Sequence, residues 1–196
     1  MMRIITGKAR GVRLLAPEGE ATRPTSERAK EAVFSMLQFE IAGANVLDLF
    51  AGTGQLGLEA LSRGAAYAVF CDASRDAAEI IRSNIRKTGA EAVSELHCTD
   101  YRSALRKISG TRQFGLIFLD PPYALGAIPE ALRILLENGC IAPGGKLICE
   151  SAAPEDVFAG DERLSERFAL LRSARYGAAA VTVLQKKDIG DGEAGV

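Results

Sequence analysis

Four consecutive residues, Asp120-Pro121-Pro122-Tyr123, are the clearest reagents in this chain. They follow Phe114-Gly115-Leu116-Ile117-Phe118-Leu119, a short apolar run that reads as a buried strand. Two prolines cannot continue a strand within a sheet, and Pro121 keeps Asp120 out of the helical region. The chain must therefore leave the sheet in a stiff, extended turn at the strand's carboxyl edge. That turn presents one carboxylate, carbonyls with few local N–H partners and one aromatic ring. The set suits an exocyclic amine on a flat base. Asp120 and the Pro121 carbonyl accept its two N–H groups, and Tyr123 stacks on the ring. A Pro-rich turn that merely ends a strand is the plain alternative, so the rest of the chain has to decide.

A second reagent set lies upstream. Val46-Leu47-Asp48-Leu49-Phe50 reads as a strand and leads into Ala51-Gly52-Thr53-Gly54-Gln55-Leu56-Gly57. Gly52, Gly54 and Gly57 fit a GxGxxG loop between a strand and a helix, where missing side chains let backbone approach a nucleotide cofactor. Residues Ala51, Gly52, Thr53 and Gly54 would line it. Asp72 ends the next strand, placed for a ribose diol, and Asp100-Tyr101 follow the third, where an acid can accept from an adenine amine. NAD enzymes share the glycine loop and the ribose acid. Asp48, however, would repel a pyrophosphate and suits an ammonium group. Three acids at three neighbouring strand ends fit an amino acid, a ribose and an adenine in turn, so S-adenosylmethionine is favoured over NAD.

The elements that must position these groups alternate. Strands are expected at 46–50, 67–72, 93–97, 114–119 and 146–150. Helices fall between them at 55–63, 74–88, 101–108 and 127–138. Pro143-Gly144-Gly145 reads as a turn before the last of these strands. Alternation of this kind implies right-handed βαβ units and a mainly parallel sheet. Arg167–Arg175 and Ala179–Gln185 flank Tyr176-Gly177-Ala178 and read as an antiparallel hairpin at the sheet's end, completing seven strands. Upstream, residues 3–15 read as a small β-hairpin around Gly7-Lys8-Ala9-Arg10-Gly11. A helix over 27–39 follows, capped by Thr25 or Ser26. The fold class is α/β, Rossmann-like. The chain divides into a 1–40 extension, a 41–187 catalytic domain and a flexible 188–196 tail.

Composition narrows the partners. The chain has 196 residues and a net charge of −1, yet residues 1–30 hold seven Lys or Arg against three acids. A basic arm on a neutral body points to a polyanion docking at one edge. The four cysteines are scattered without a CxxC, and there is one histidine. Neither a disulfide framework, a metal centre nor a His-based triad is indicated, so no metal is expected. No apolar run reaches the length of a membrane span, and no apolar leader opens the chain. A cytoplasmic monomer is expected.

Together these residues resemble the S-adenosylmethionine-dependent N-methyltransferases that modify exocyclic amines. The N-terminal stretch narrows the resemblance. Arg3-Ile4-Ile5-Thr6-Gly7-Lys8-Ala9-Arg10-Gly11, Thr22-Arg23-Pro24-Thr25, Arg28 and Glu31-Ala32-Val33-Phe34 are similar to the bacterial small-subunit (16S) ribosomal RNA guanine-N2 methyltransferases of the RsmD family. Arg175-Tyr176-Gly177 also matches, so the resemblance spans residues 2 to about 186. It implies a methyltransferase fold, S-adenosylmethionine as cofactor and ribosomal RNA as partner, in its free form or in the small ribosomal subunit. Asp120, Pro121, Pro122 and Tyr123 would be catalytic. Lys8, Arg10, Arg13, Arg23, Thr25 and Arg28 would hold RNA.

Other readings stay open at this point. A DNA adenine or cytosine N-methyltransferase shares Asp-Pro-Pro-Tyr but usually carries a sizeable recognition insert, which this chain lacks. A protein glutamine N-methyltransferase typically has Asn where Asp120 stands. A binding module without chemistry, or an NAD oxidoreductase, would separate by cofactor binding. Asn84 and Glu150 are further candidates for the site, each equally well explained as a surface polar group.

Overall fold

The computed structural model describes residues 2–17 and 24–187, the side chains of 24–28 excepted. The expected flexible tail and Arg23 lie outside the described residues, as do the side chains of Thr25 and Arg28. Seven strands, β1 (Asn45–Asp48), β2 (Tyr67–Asp72), β3 (Ser94–Cys98), β4 (Phe114–Leu119), β5 (Ile141–Ser151), β6 (Phe168–Tyr176) and β7 (Ala179–Lys186), form one sheet in the order β3-β2-β1-β4-β5-β7-β6. β1 to β5 run parallel, and β7 lies antiparallel between β5 and β6. Helices α1 (Pro24–Met36), α2 (Gln55–Ser62), α3 (Arg75–Thr88), α4 (Tyr101–Ile108), α5 (Ile128–Glu137) and α6 (Glu162–Glu166) cover the faces.

Both faces are buried because the strands alternate two apolar sets. Leu47, Val69, Cys71, Ile117, Leu119, Leu147 and Cys149 pack against Leu105 of α4, Leu132 and Leu135 of α5 and Leu164 of α6. Val46, Phe70, Leu116, Phe118 and Ile148 face the other way, onto Val33 and Phe34 of α1, Leu58 of α2 and Ile81 of α3. Ile4 and Leu14 of the N-terminal segment belong to that second cluster. The period of two places alternate residues on opposite faces. The strand order reverses beside β1, the junction where sheets of this kind open a crevice at their carboxyl ends.

Three local expectations are corrected. The first helix starts at Pro24 and ends at Met36 rather than spanning 27–39. Proline is at home in a first helical turn, where its missing N–H has no partner to lose. Thr25 and Ser26 therefore sit inside the helix and not at its cap. β5 runs from Ile141, not Lys146, because Pro143-Gly144-Gly145 bulges within the strand instead of preceding it: Phe114 pairs with Ile141, and Leu116 already pairs with Lys146. The N-terminal hairpin closes through Ile4 N–H to Val12 O (3.0 Å) and Gly11 N–H to Ile4 O (2.9 Å), but its regular pairing is a single bridge, Arg3 to Arg13.

Candidate active site

The glycine loop is shaped by acids that bind its own backbone. Asp48 Oδ2 accepts the Gly57 N–H at 3.0 Å. Asp72 accepts the Gly52 N–H at 2.8 Å through Oδ2 and the Ser74 N–H at 2.9 Å through Oδ1. Gly54 donates to Ala51 O at 2.7 Å and, at φ +76°, turns the chain into α2. A Cβ at Gly57 would stand 2.4 Å from the Phe70 ring, so glycine there lets α2 lie close on β2. All three glycine N–H groups of the motif are thus engaged inside the protein. These three amides are therefore not offered to a ligand.

The second wall comes from β4 and β5. Their register pairs Leu119 with Cys149, so Asp120 and Glu150 emerge side by side at the carboxyl edge. The Pro122 carbonyl accepts the Leu125 N–H at 2.9 Å, closing one helical turn over Tyr123–Leu125. The Pro121 carbonyl accepts no backbone N–H among the described residues. Tyr123 is 46% exposed, and its hydroxyl donates to Glu150 Oε1 at 3.2 Å.

Between these walls lies a cleft of about 1440 Å³. Asp48, Ala51, Gly52, Thr53, Asp72, Asp100 and Tyr101 line it, together with Asp120, Pro121, Pro122 and Tyr123. Of the residues expected to hold a cofactor, only Gly54 stands behind the surface. The cleft is electrostatically unbalanced. Burial pushes the Asp48 carboxyl up to about 7, against the pull of the Gly57 N–H, and Asp72 adds repulsion. Lost hydration, then Glu150 and Asp48, push Asp120 up to about 8. Burial also raises Glu150, while its Tyr123 bond lowers it. Carboxyls crowded this way are relieved by a cation or by N–H donors. The donor set therefore fits a ligand carrying a sulfonium and an ammonium.

At the far rim, Asp100 caps α4 by accepting the Ser103 N–H at 3.1 Å, and its bonds with Ser103 hold its carboxyl below the usual range. Asp100 therefore stays an acceptor. The Tyr101 hydroxyl donates to Glu130 at 2.7 Å, and its ring packs on Phe50 with centroids 5.3 Å apart. Burial pushes that phenol up to about 12. Arg102 pairs with the same Glu130 and lies 4.6 Å over the Tyr101 ring. Tyr101 thus offers the cleft a fixed apolar wall and keeps its hydroxyl elsewhere.

The basic arm is placed differently from the acids. The buried Glu59 of α2 accepts the Ile5 N–H at 2.7 Å and the Thr6 N–H at 3.1 Å, and pairs with Arg63 at 2.7 Å. Ser62 accepts the Lys8 N–H at 2.8 Å and the Ala9 N–H at 3.0 Å. Gly7 permits this approach, since a Cβ would fall 1.8 Å from the Ser62 carbonyl oxygen. Exposed Lys8 and Arg10 therefore sit at the end of α2 opposite the glycine loop, about 12 Å along the helix. Exposed Arg13 precedes Leu14 and Leu15 on the segment that Asn84 joins to the loop. Met2, Pro17 and Lys30 reach the cleft itself.

Two residues left undecided by the sequence have definite places. Asn84 is buried and bridges the arm to the glycine loop, accepting the Leu15 N–H at 2.7 Å and donating to Leu15 O at 3.0 Å and Thr53 O at 2.9 Å. Glu150 is in the cleft, and its position at a parallel strand's carboxyl end was the available signal. Glu59, Met2, Pro17 and Lys30 left none, because they meet the site only through long-range packing. Among the described residues no cluster of three or more His, Cys, Asp or Glu side chains is arranged for a metal ion, and no helix is long and apolar enough to cross a membrane.

Comparison with known proteins gives a consistent result. Residues 2–185 match the family described as conserved hypothetical protein 95. Ribosomal RNA small subunit methyltransferase D of Escherichia coli K12 is 32% identical over 195 residues, covering 98% of this chain and 94% of that protein. The solved structure of a hypothetical protein from Thermus thermophilus superposes with a TM-score of 0.74 at 28% identity, over 93% of this chain and 98% of that one. An O-methyltransferase from Bacillus cereus, solved in complex with SAH, shares the fold at 18% identity and a TM-score of 0.64, over 86% of this chain and 84% of that one.

Proposed function

The chain belongs to the RsmD family, described as conserved hypothetical protein 95, and from that premise we propose that it methylates the exocyclic N2 amine of a guanine in small-subunit (16S) ribosomal RNA, with S-adenosylmethionine as donor. The observation that carries this reading is the pair of acceptors at the cleft. The Asp120 carboxylate stands beside a Pro121 carbonyl that no described backbone N–H occupies, next to a glycine loop whose three glycine N–H groups are bonded within the protein.

The chain's residues would act as follows. Asp48, Asp72 and Asp100 would hold the amino-acid, ribose and adenine parts of the cofactor, with Ala51, Gly52, Thr53 and the Tyr101 ring as walls. When bound, S-adenosylmethionine supplies an electrophilic methyl group on a cationic sulfur. Asp120 and the Pro121 carbonyl accept the two N–H groups of the guanine amine. They aim its nitrogen and favour the positive charge that builds there, which is stabilisation of the transition state. The amine becomes acidic only once alkylated, so no strong base is required beforehand, and Asp120 would take the released proton. Pro122 keeps the turn rigid, and Tyr123 stacks on the base, which enters turned out of any helix.

The first test is transfer of labelled methyl from S-adenosylmethionine to small ribosomal subunits from cells lacking this protein, followed by nucleoside analysis. Label in N2-methylguanosine is expected. Label in another nucleoside would keep the chemistry and reject the substrate. No label on subunits or naked RNA would reject both and turn the search to DNA or protein amines.

The basic arm would position RNA through phosphates without reading sequence. Lys8, Arg10 and Arg13 lie on one hairpin, with Arg23, Thr25 and Arg28 further along the arm. Replacing Lys8, Arg10 and Arg13 together by alanine should weaken RNA binding and lower the slope of log affinity against log salt by about 2 to 3. Cofactor binding should not change. An unaltered salt slope would make the arm purely structural.

A further inference from the structure

Asp120 has a neighbour that the chemistry above does not use. Glu150 follows Cys149 in β5 as Asp120 follows Leu119 in β4, and Leu119 pairs with Cys149. Adjacent strands lie about 4.8 Å apart, so the two carboxyls form one acceptor row at the edge of the cleft. Tyr123 holds Glu150 in place through Oε1, at 3.2 Å. Tyr123 thereby ties the base-stacking ring to the second carboxylate.

A base read along its pairing edge meets this row in order. Guanine presents N2–H donors and, on the adjacent ring atom, an N1–H donor. Adenine and cytosine present an amine beside a ring nitrogen that is an acceptor. Two acceptors in a row match guanine. Facing adenine or cytosine, the second acceptor would meet a lone pair. We propose that Glu150 is the specificity-determining residue of this site, accepting the N1–H of the target guanine while Asp120 accepts from its N2 amine. The inference rests on the guanine-N2 reading of the same site. The repulsion that raises Asp120 agrees with it, because two neighbouring N–H donors relieve two crowded carboxyls at once.

The test uses one RNA fragment spanning the methylated position, made with either guanosine or 2,6-diaminopurine nucleoside there. The diaminopurine keeps the N2 amine, but its N1 carries no hydrogen. The wild-type protein should prefer guanosine in kcat/KM by on the order of 10²-fold or more, since a site built around a substrate N–H rejects the analogue lacking it. In Glu150→Gln the side-chain amide can donate to the bare N1, so the preference should narrow at least about tenfold. Glu150→Ala should lower turnover of guanosine without favouring either base. Thermal melting and calorimetric cofactor binding check that both variants are folded.

Equal wild-type rates on the two RNAs would overturn the proposal whatever the variants do. So would a preference unmoved by Glu150→Gln. If the wild type methylates guanine N2 and the preference does not move, Glu150 alone loses its role. If the wild type puts no methyl on guanine, the inference falls together with the reading beneath it.

Discussion

Asp120→Ala should cut methyl transfer by on the order of 10²-fold or more while leaving S-adenosylmethionine binding nearly intact. The magnitude follows from removing one preorganised partner of the charge that develops in the transition state. Single-turnover rates and calorimetry separate the two effects, and unchanged turnover would remove Asp120 from the chemistry. The same variant carries a second signature. Asp120 is pushed up to about 8 in the folded protein by lost hydration and by Glu150 and Asp48, against about 3.9 in an unfolded chain. Its contribution to stability is therefore fully present below about pH 4 and lost as pH rises through about 8. Asp120→Ala does not suffer that loss. Relative to wild type, the ligand-free variant should gain melting temperature steadily from pH 4 to pH 8. A constant difference would mean that the carboxyl is not strained by its neighbours. On the proposed chemistry, activity and stability are opposed at this residue, because a site that is to receive a cation and a pair of donors must gather like charges.

Glu59→Ala should cost about 3 kcal/mol, a drop of about 6 to 12 °C in melting temperature for a chain of this size. Its buried carboxylate holds three donors, the Ile5 and Thr6 N–H groups and Arg63, and truncation strands all of them. Glu59→Gln keeps one acceptor and should fall between. Because the arm also supplies Met2 and Pro17 to the cleft, the alanine variant should bind cofactor more weakly even below its melting range. A melting temperature within about 2 °C of wild type would show that the arm is not anchored through this residue.

The parts of the molecule written in short-range pattern were readable in the sequence. β2, β4 and α4 have the predicted bounds, because apolar runs between Gly, Pro and Asp signals specify them locally. The glycine loop and Asp120–Tyr123 announce themselves for the same reason: each is a continuous stretch whose backbone needs are set by its own residues. What was not readable lies in bonds between distant positions. Glu59 meets Ile5 across 54 residues and Asn84 meets Leu15 across 69. A side chain bonding to a remote backbone leaves no period in the sequence. Pro143-Gly144-Gly145 misled for another reason, since a turn signal and a bulge signal use the same residues, and only the partner strand distinguishes them. Pro24 shifted α1 because a proline can open a helix as well as bar one.

The place of β7 bears on how this chain is made. It is the last of the seven strands in chain order, yet it lies inside the sheet, pairing with β5 on one side and β6 on the other. During synthesis, earlier segments emerge and begin to collapse first. Until residues 179–186 arrive, β5 has an open edge at Leu147, Ile148 and Cys149, the kind of apolar edge that recruits other chains. β7 also pairs with Glu150 and Ser151, so its arrival fixes the wall that faces the glycine loop. A nascent or prematurely terminated product therefore exposes a sticky border before it owns a finished catalytic cleft. Exposed apolar edges of this kind are what chaperones and proteases act on, and Glu150 gains its β7 partner, Val181, only when the sheet is whole.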